Sequence, residues 1–562
     1  MICLRIIVVG FICCAFFVNP GGLFAQGYEA GPIQIQGSAG FSSELYGVRG
    51  IDARRPAGSG RIFARVTAEG LGFRYGIDLN LSTEQSVFRQ NLNQVGLNFS
   101  YEWIRFAAGD VRPVYSPFSL NGVNVRGASI EATPGNWLVS FAGGRSQRAI
   151  KPTEERPFLS PVFDQWLYAG KAGYISSSSD YIHFIGTYAQ DAVSSLTSDL
   201  RSQFDLIPAE NSTLTADLGK SLFENRLSVD GTFTWSAHSG DSRRLPDERR
   251  SLPVVFSLFM DERSGTFSDY AGRLNIRYNE TSFNINTSYE RVQPGFVSLG
   301  LPYIRNDQEH IRIRPQFFLK DRRVRIGLDY GQTRNNLAGH LLNTNYRNQA
   351  GINTQTRFSE QFSVSADYRF LLNRTMPRND DSGFDMRQIT HNISLSPSYN
   401  WKHGDVSHNV LITANMQLFD MDRRGQDGAV NSDFTNLSTS FNYDVTLASG
   451  LSLSPGATWL ISRSDQSDLD TWRTQMSVSH DFYDRLITIV ITTSYTHNTM
   501  SFTGELERPD MVSEQFSINL NAGYRLPIGD YLRLNIRGLH NSRSSQSSFS
   551  ELQATLQLNH RF

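Results

Sequence analysis

The chain is short of the features that hold large soluble proteins and helical membrane proteins together. Its three cysteines, Cys3, Cys13 and Cys14, all lie in the first 25 residues. Past that point there is no thiol, disulfide or cysteine-bound metal to expect. After the N-terminal segment no apolar run approaches the roughly eighteen residues that a membrane-crossing helix needs. Hydrophobic residues make up 39% and mean hydropathy is negative. These values are low for a helical membrane protein, but a transmembrane β-barrel escapes that test, because only every second strand residue faces lipid. The formal net charge of −1 removes any bulk electrostatic case for a nucleic-acid partner. Lysine is scarce, five residues against forty-eight arginines, which suits a wall that uses planar, multiply hydrogen-bonding cations. The eleven histidines are scattered, and none falls in a metal-ligand or nucleophile spacing. We therefore expect no catalytic site, metal or cofactor, and no enzyme.

The first residues form a targeting segment. Arg5 precedes an apolar run from Ile6 to Val18, and Asn19-Pro20-Gly21-Gly22 leads to Leu23-Phe24-Ala25. This is the layout of a secretory signal cleaved after Ala25. The remainder, 26–562, is expected to be one unit with no domain ahead of it.

From Ile33 onward the chain alternates with a period of two, which only an extended strand sorts onto two faces. Leu227, Val229, Gly231, Phe233 and Trp235 oppose Ser228, Asp230, Thr232 and Thr234; Val324, Ile326, Leu328 and Tyr330 oppose Arg325, Gly327, Asp329 and Gly331. Twelve connections are tight, such as Glu102-Trp103, Phe223-Glu224-Asn225 and Lys402-His403-Gly404. Thirteen others, centred near residues 53 to 546, read as longer and polar. Together they imply twenty-six strands, with both termini on the tight-turn side. Tyr101, Trp103, Trp137, Phe223, Tyr278, Phe283, Phe358, Phe362, Trp401, Phe482, Tyr483 and Tyr531 cluster beside the tight turns, where headgroup-level rings belong. The last strand sets Leu552, Ala554, Leu556, Leu558, His560 and Phe562 against Gln553, Thr555, Gln557, Asn559 and Arg561.

These features resemble a bacterial outer-membrane β-barrel, an all-β transmembrane up-and-down antiparallel architecture with short periplasmic turns and long extracellular loops. The resemblance implies an integral place in the outer membrane of a Gram-negative bacterium. It also implies outer-membrane lipid and the barrel-assembly machinery as partners, with the C-terminal Phe562 as the assembly signal. It is to an architecture and not to a functional family. The N-terminal plug of TonB-dependent receptors has no counterpart. The run Gly109-Asp110, Tyr115-Ser116-Pro117-Phe118 and Gly122 to Gly127 looks faintly like strands of fimbrial ushers. The plainer reading favours a loop between strands five and six, with Arg126 facing the lumen.

An empty circular barrel of this size would breach the membrane's permeability barrier, so inward loops, a flattened section or another protein must close it. Three sets of residues bear on that. Arg273, Arg277, Arg325, Arg533 and Arg537 with Asp230, Glu290 and Asp329 fall on the polar face as lumen-lining residues that either tune selectivity or pair with one another. The longest loop, residues 240–266, holds between charged flanks the heptad of Val254, Val255, Phe256, Ser257, Leu258, Phe259 and Met260, which needs cover and, through its six apolar residues, is a candidate constriction or cap. Beside it, residues 145–164 carry Arg148, Lys151, Glu154, Glu155 and Arg156. The leading functional expectation is a pore or transporter for a bulky solute, narrowed by inward-folded loops. The alternatives are a conduit for protein, lipid or polysaccharide plugged by a partner or cargo protein, and a structural or adhesive surface barrel.

Overall fold

In the computed structural model, residues 28–30, 33–83, 93–152, 159–177, 180–246, 252–378, 384–425, 428–503, 509–526, 530–544 and 546–562 are described. The N-terminal targeting segment and Glu154, Glu155 and Arg156 lie outside them. One antiparallel sheet contains twenty-seven strands. Apart from the three-residue Tyr28–Ala30, they are the twenty-six staves of a closed barrel, from Ile33–Arg49 to Gln546–Arg561. Closure is direct: the first strand pairs with the last from Ser38↔Arg561 to Arg49↔Ser550. The Phe562 amide donates to the Gly37 carbonyl at 3.1 Å, and the Gly37 amide donates to the Phe562 carbonyl at 2.7 Å. Tyr28–Ala30 folds back on Ile33–Ile35 and covers the edge that the last strand does not reach. No ladder edge is left to hydrocarbon, which is the condition for crossing a membrane with strands.

Each strand separates two environments. Phe141, Tyr168 and Phe184, on neighbouring strands, are 59%, 52% and 59% exposed, while Ser140, Leu167 and Ile185 beside them in sequence are buried. That inverts a soluble sheet and fits a wall with lipid outside. Rings line the tight-turn rim: Phe73 and Tyr101 are 4.3 Å apart, Trp137 and Tyr174 5.3 Å, Phe358 and Phe362 5.5 Å, and Tyr399 and Trp401 5.3 Å. Tyr531 departs from this expectation. It lies on the lumen face, under the guanidinium of Arg533 at 5.4 Å.

The tight turns contain left-handed residues that match strand twist. Phe223-Glu224-Asn225, Lys320-Asp321-Arg322 and Tyr483-Asp484-Arg485 all have positive φ. Three connections expected to be long are instead two-residue hairpins, after Gly425, Ser464 and Arg543. Their polar residues continue the strands past the apolar band. The wall is accordingly uneven. Gln94–Tyr101 and Ile104–Val111 have 8 residues each, whereas Asp385–His403, Val406–Gly425 and Gly428–Thr446 have 19, 20 and 19. About 9 to 11 residues span a bilayer.

The closure seam gives a test. A Cβ added at Gly40 would sit 2.1 Å from the Leu558 carbonyl and 2.6 Å from the Phe63 ring, while at Gly47 it would meet nothing. Gly40→Leu is expected to abolish the heat-modifiable folded band on a denaturing gel or to destabilise it by roughly 1–3 kcal/mol. Gly47→Leu is expected to migrate as wild type; equal behaviour of the two would show that the seam is not tightly packed.

Candidate functional site

Two loops turn inward from the long-loop rim. The first, residues 112–124, links Ile104–Val111 to Val125–Ala132 and contains a hairpin of Val114–Ser116 with Leu120–Asn121. Its Tyr115 and Leu120 pack on Val111, Val125, Ala142, Leu167, Ala169, Ile185 and Ala189. These wall residues share the face opposite the exposed rings, so the loop lies in the lumen. The Tyr115 hydroxyl is 2.7 Å from Ser140 Oγ, and burial pushes this phenol above its ordinary range, keeping it neutral. Phe118 packs with Ala271, Val292 and Phe296, and the Arg273 guanidinium stands 5.4 Å over its ring.

The second loop, residues 293–307, starts eight strands further round, after Phe283–Val292. It meets the first inside the barrel: Ser298 Oγ donates to the Ser119 carbonyl at 3.0 Å. Asn211 on the inner wall pins it. The Asn211 side-chain amide donates to the carbonyls of Val297 at 3.0 Å and Ala237 at 2.9 Å, and its Oδ1 accepts from the Leu299 amide at 3.1 Å. Ser236 Oγ donates to the same Val297 carbonyl. Under the loops, inward hydroxyls satisfy one another: Thr187 with Thr213 at 2.6 Å, and Thr215 with Thr234 at 2.8 Å. Small and hydroxylated residues allow loop backbone to approach the wall while most of the polar groups it covers find partners; Ser119 Oγ and Asn124 Oδ1 are buried without one among the described residues.

The usher-like run is the root of the first loop. Asp110 and Arg126 form a bidentate pair at 3.1 and 2.9 Å. Arg126 shares its face with exposed Ile130 and not with buried Val125. It therefore points away from the lumen, contrary to expectation.

Placement of the other sequence candidates divides them. Arg273 pairs with Glu290, and Asp329 accepts from Arg312 at 2.7 Å. Asp230 lies beside Tyr181, and Gln316 faces Arg325. Among the described residues Arg277, Arg533 and Arg537 have no carboxylate partner. Arg533 joins Arg525, Arg561, Tyr531, Gln557 and Asn559 around a hollow of about 340 Å³ at the tight-turn end. Arg525 and Arg561 were not singled out from sequence, although Arg561 sits on the polar face of the last strand. Loop 293–307 was also missed; its signal was Phe296, Leu299, Leu301 and Ile304 in a connection that reads as polar.

The Val254 to Met260 segment lies outside the lumen, so the reading of it as a constriction is corrected. Phe256 is fully buried against Trp235, 5.5 Å away edge-on, with Ala237, Leu214 and Tyr188 around it. Trp235, Leu214 and Tyr188 belong to the exposed-ring face. Arg263 anchors the loop to Glu210 at 2.7 Å, on that same outward side. The physical reason is local: Trp235, Leu214 and Tyr188 offer the turn an apolar surface on the outward face, which removes Phe256 and Met260 from water.

No protein-family model and no curated protein matches the chain. The solved structures it is similar to include the following three. Acinetobacter baumannii OccAB4 is 11% identical over 71% of this chain and 99% of that one, with a TM-score of 0.30. Pseudomonas aeruginosa OpdL is 10% identical over 63% and 93%, at 0.30. Pseudomonas aeruginosa OccK9 (OpdG) is 13% identical over 71% and 97%, at 0.29. Among the described residues no cluster of three or more His, Cys, Asp or Glu is arranged to hold a metal.

Asn211 is the test of loop docking. Asn211→Ala leaves the Leu299 amide without its acceptor, at roughly 1–3 kcal/mol before relaxation, and removes one of the donors to the Val297 carbonyl, which keeps Ser236. Trypsin cleavage at Arg305 should rise while the heat-modifiable barrel persists. Unchanged cleavage would show that the loop is held by its apolar contacts alone.

Proposed function

We propose that the chain forms an outer-membrane pore for a bulky, polar, anionic solute, narrowed by the inward loops 112–124 and 293–307. The observation that carries this reading is the lopsided lumen. Strands about 4.8 Å apart and tilted about 40° give a twenty-six-stranded ring a diameter on the order of 50 Å if it is circular. The loops fill the crescent behind the eight strands from Val125–Ala132 to Phe283–Val292. The remaining inner wall carries polar side chains that face open space. There Arg525, Arg533 and Arg561 lack carboxylate partners among the described residues, and Tyr531, Gln557 and Asn559 supply neutral hydrogen-bonding groups. Guanidinium groups in wide water offer carboxylate, sulfate or phosphate groups bidentate contacts weak enough to release. The same bare half also supports a second reading, a conduit filled by a partner protein, which a stoichiometric co-purifying chain would favour.

Purified barrel in a planar bilayer is expected to show a stable conductance with anion preference at low salt. Deleting residues 114–122 should raise the conductance severalfold, whereas deleting Val254 to Met260 should leave it unchanged. Replacing Arg525, Arg533 and Arg561 with Gln should lower the anion-to-cation permeability ratio severalfold, less so at high ionic strength. A silent folded barrel, or one whose selectivity ignores the three arginines, would sink the reading.

A further inference from the structure

On the outward face, near mid-height, three neighbouring strands carry glycine. Phe141 pairs with Gly170 and Gly170 with Gly186, while one step away Gly143 pairs with Tyr168. The surrounding rings are large and exposed, so the missing side chains leave a trough of about 690 Å³ with nearly all-carbon walls. Phe259, from the loop that folds down the outside, closes one end.

The glycines at 170 and 186 are not explained by the protein's own needs. Neither has a positive φ. A Cβ at Gly186 would make ordinary contacts of 3.7 Å with Phe259 and 3.8 Å with Leu214, and one at Gly170 would meet Phe141 at 3.4 Å. Glycine weakens a strand interior and commonly marks close approach by something else. Here the approaching body is set by position. The trough is continuous with the exposed apolar belt, and the segment that closes it extends that belt outward, with Val254 74% and Leu258 77% exposed. Water has no place in such a groove within the bilayer, and an aliphatic chain fits one.

We propose that this trough is a specific site for one acyl chain of a membrane lipid, clamped beneath Phe259. The site lies on the opposite side of the wall from the solute path and does not depend on what passes through the lumen.

The test is native mass spectrometry of the whole barrel, stripped of lipid in detergent and re-exposed to dipalmitoyl phosphatidylethanolamine. Wild type is expected to keep one lipid under activation that removes the rest. Gly170→Leu with Gly186→Leu fills the trough and should lower that retained fraction by about tenfold, and Phe259→Ala by a smaller factor. Gly231→Leu, on the same outward face away from the trough, should retain lipid as wild type does. Heat-modifiability checks that each variant is folded. Equal retention by the filled variant, or no stoichiometric lipid on wild type, would overturn the proposal. So would free palmitate displacing the lipid at equal concentration, since the occupant would then be a free acid.

Discussion

In hydrocarbon, a backbone amide or carbonyl has no water to turn to, and everything in this molecule depends on that. The sheet answers it by joining its first and last strands over twelve paired positions from Ser38 to Arg49, with Phe562 and Gly37 exchanging the final bonds. Tyr28–Ala30 completes the edge below. Once closed, the wall needs no apolar core. It tolerates exposed Phe141, Phe184 and Tyr168 outside and polar groups inside, because each face meets its own solvent.

The barrel is nevertheless not evenly built. Where loops 112–124 and 293–307 enter the lumen, the inner wall takes the character of a protein interior: Leu167, Ile185 and Ala189 are buried, and paired threonines spend their hydroxyls on each other. Beyond this crescent the inner wall keeps its arginines. The low rim of eight-residue strands adjoins the inward loops, while the tallest strands stand about half-way round. Loop length, wall height and lumen chemistry therefore vary together around the ring.

Much of the fold was legible in the sequence because a period of two is a local signal: Leu227 to Trp235 and Val324 to Tyr330 declare their faces without reference to the rest of the chain. The tight turns were legible for the same reason. The site was far less so. The Val254 to Met260 heptad announces a need to escape water, but composition does not say on which side of a wall. Its position follows from Trp235, Leu214 and Tyr188, on three strands that only the fold brings beneath it. Gly109 to Gly127 could be recognised as unusual, yet its partner at Ser298 is distant in sequence. Tyr531 has the right composition for the aromatic rim, and only its phase relative to Leu532 and Leu534 puts it in the lumen. The hairpins after Gly425 and Ser464 looked like loops because the alternation there is polar on both faces.

The three tall strands change how the protein meets the outside world. On Val406–Gly425 the outward residues run Val410, Ile412, Met416 and Leu418 and then turn to Asp420, Asp422 and Arg424. That change of chemistry marks the bilayer's upper surface, and the strand continues roughly 15 Å past it. What projects from the cell on this side is an upright, register-locked palisade of paired strands. Anything that recognises the protein from outside would find there a surface of fixed shape, whose evolutionary freedom lies in its side chains and not in its length.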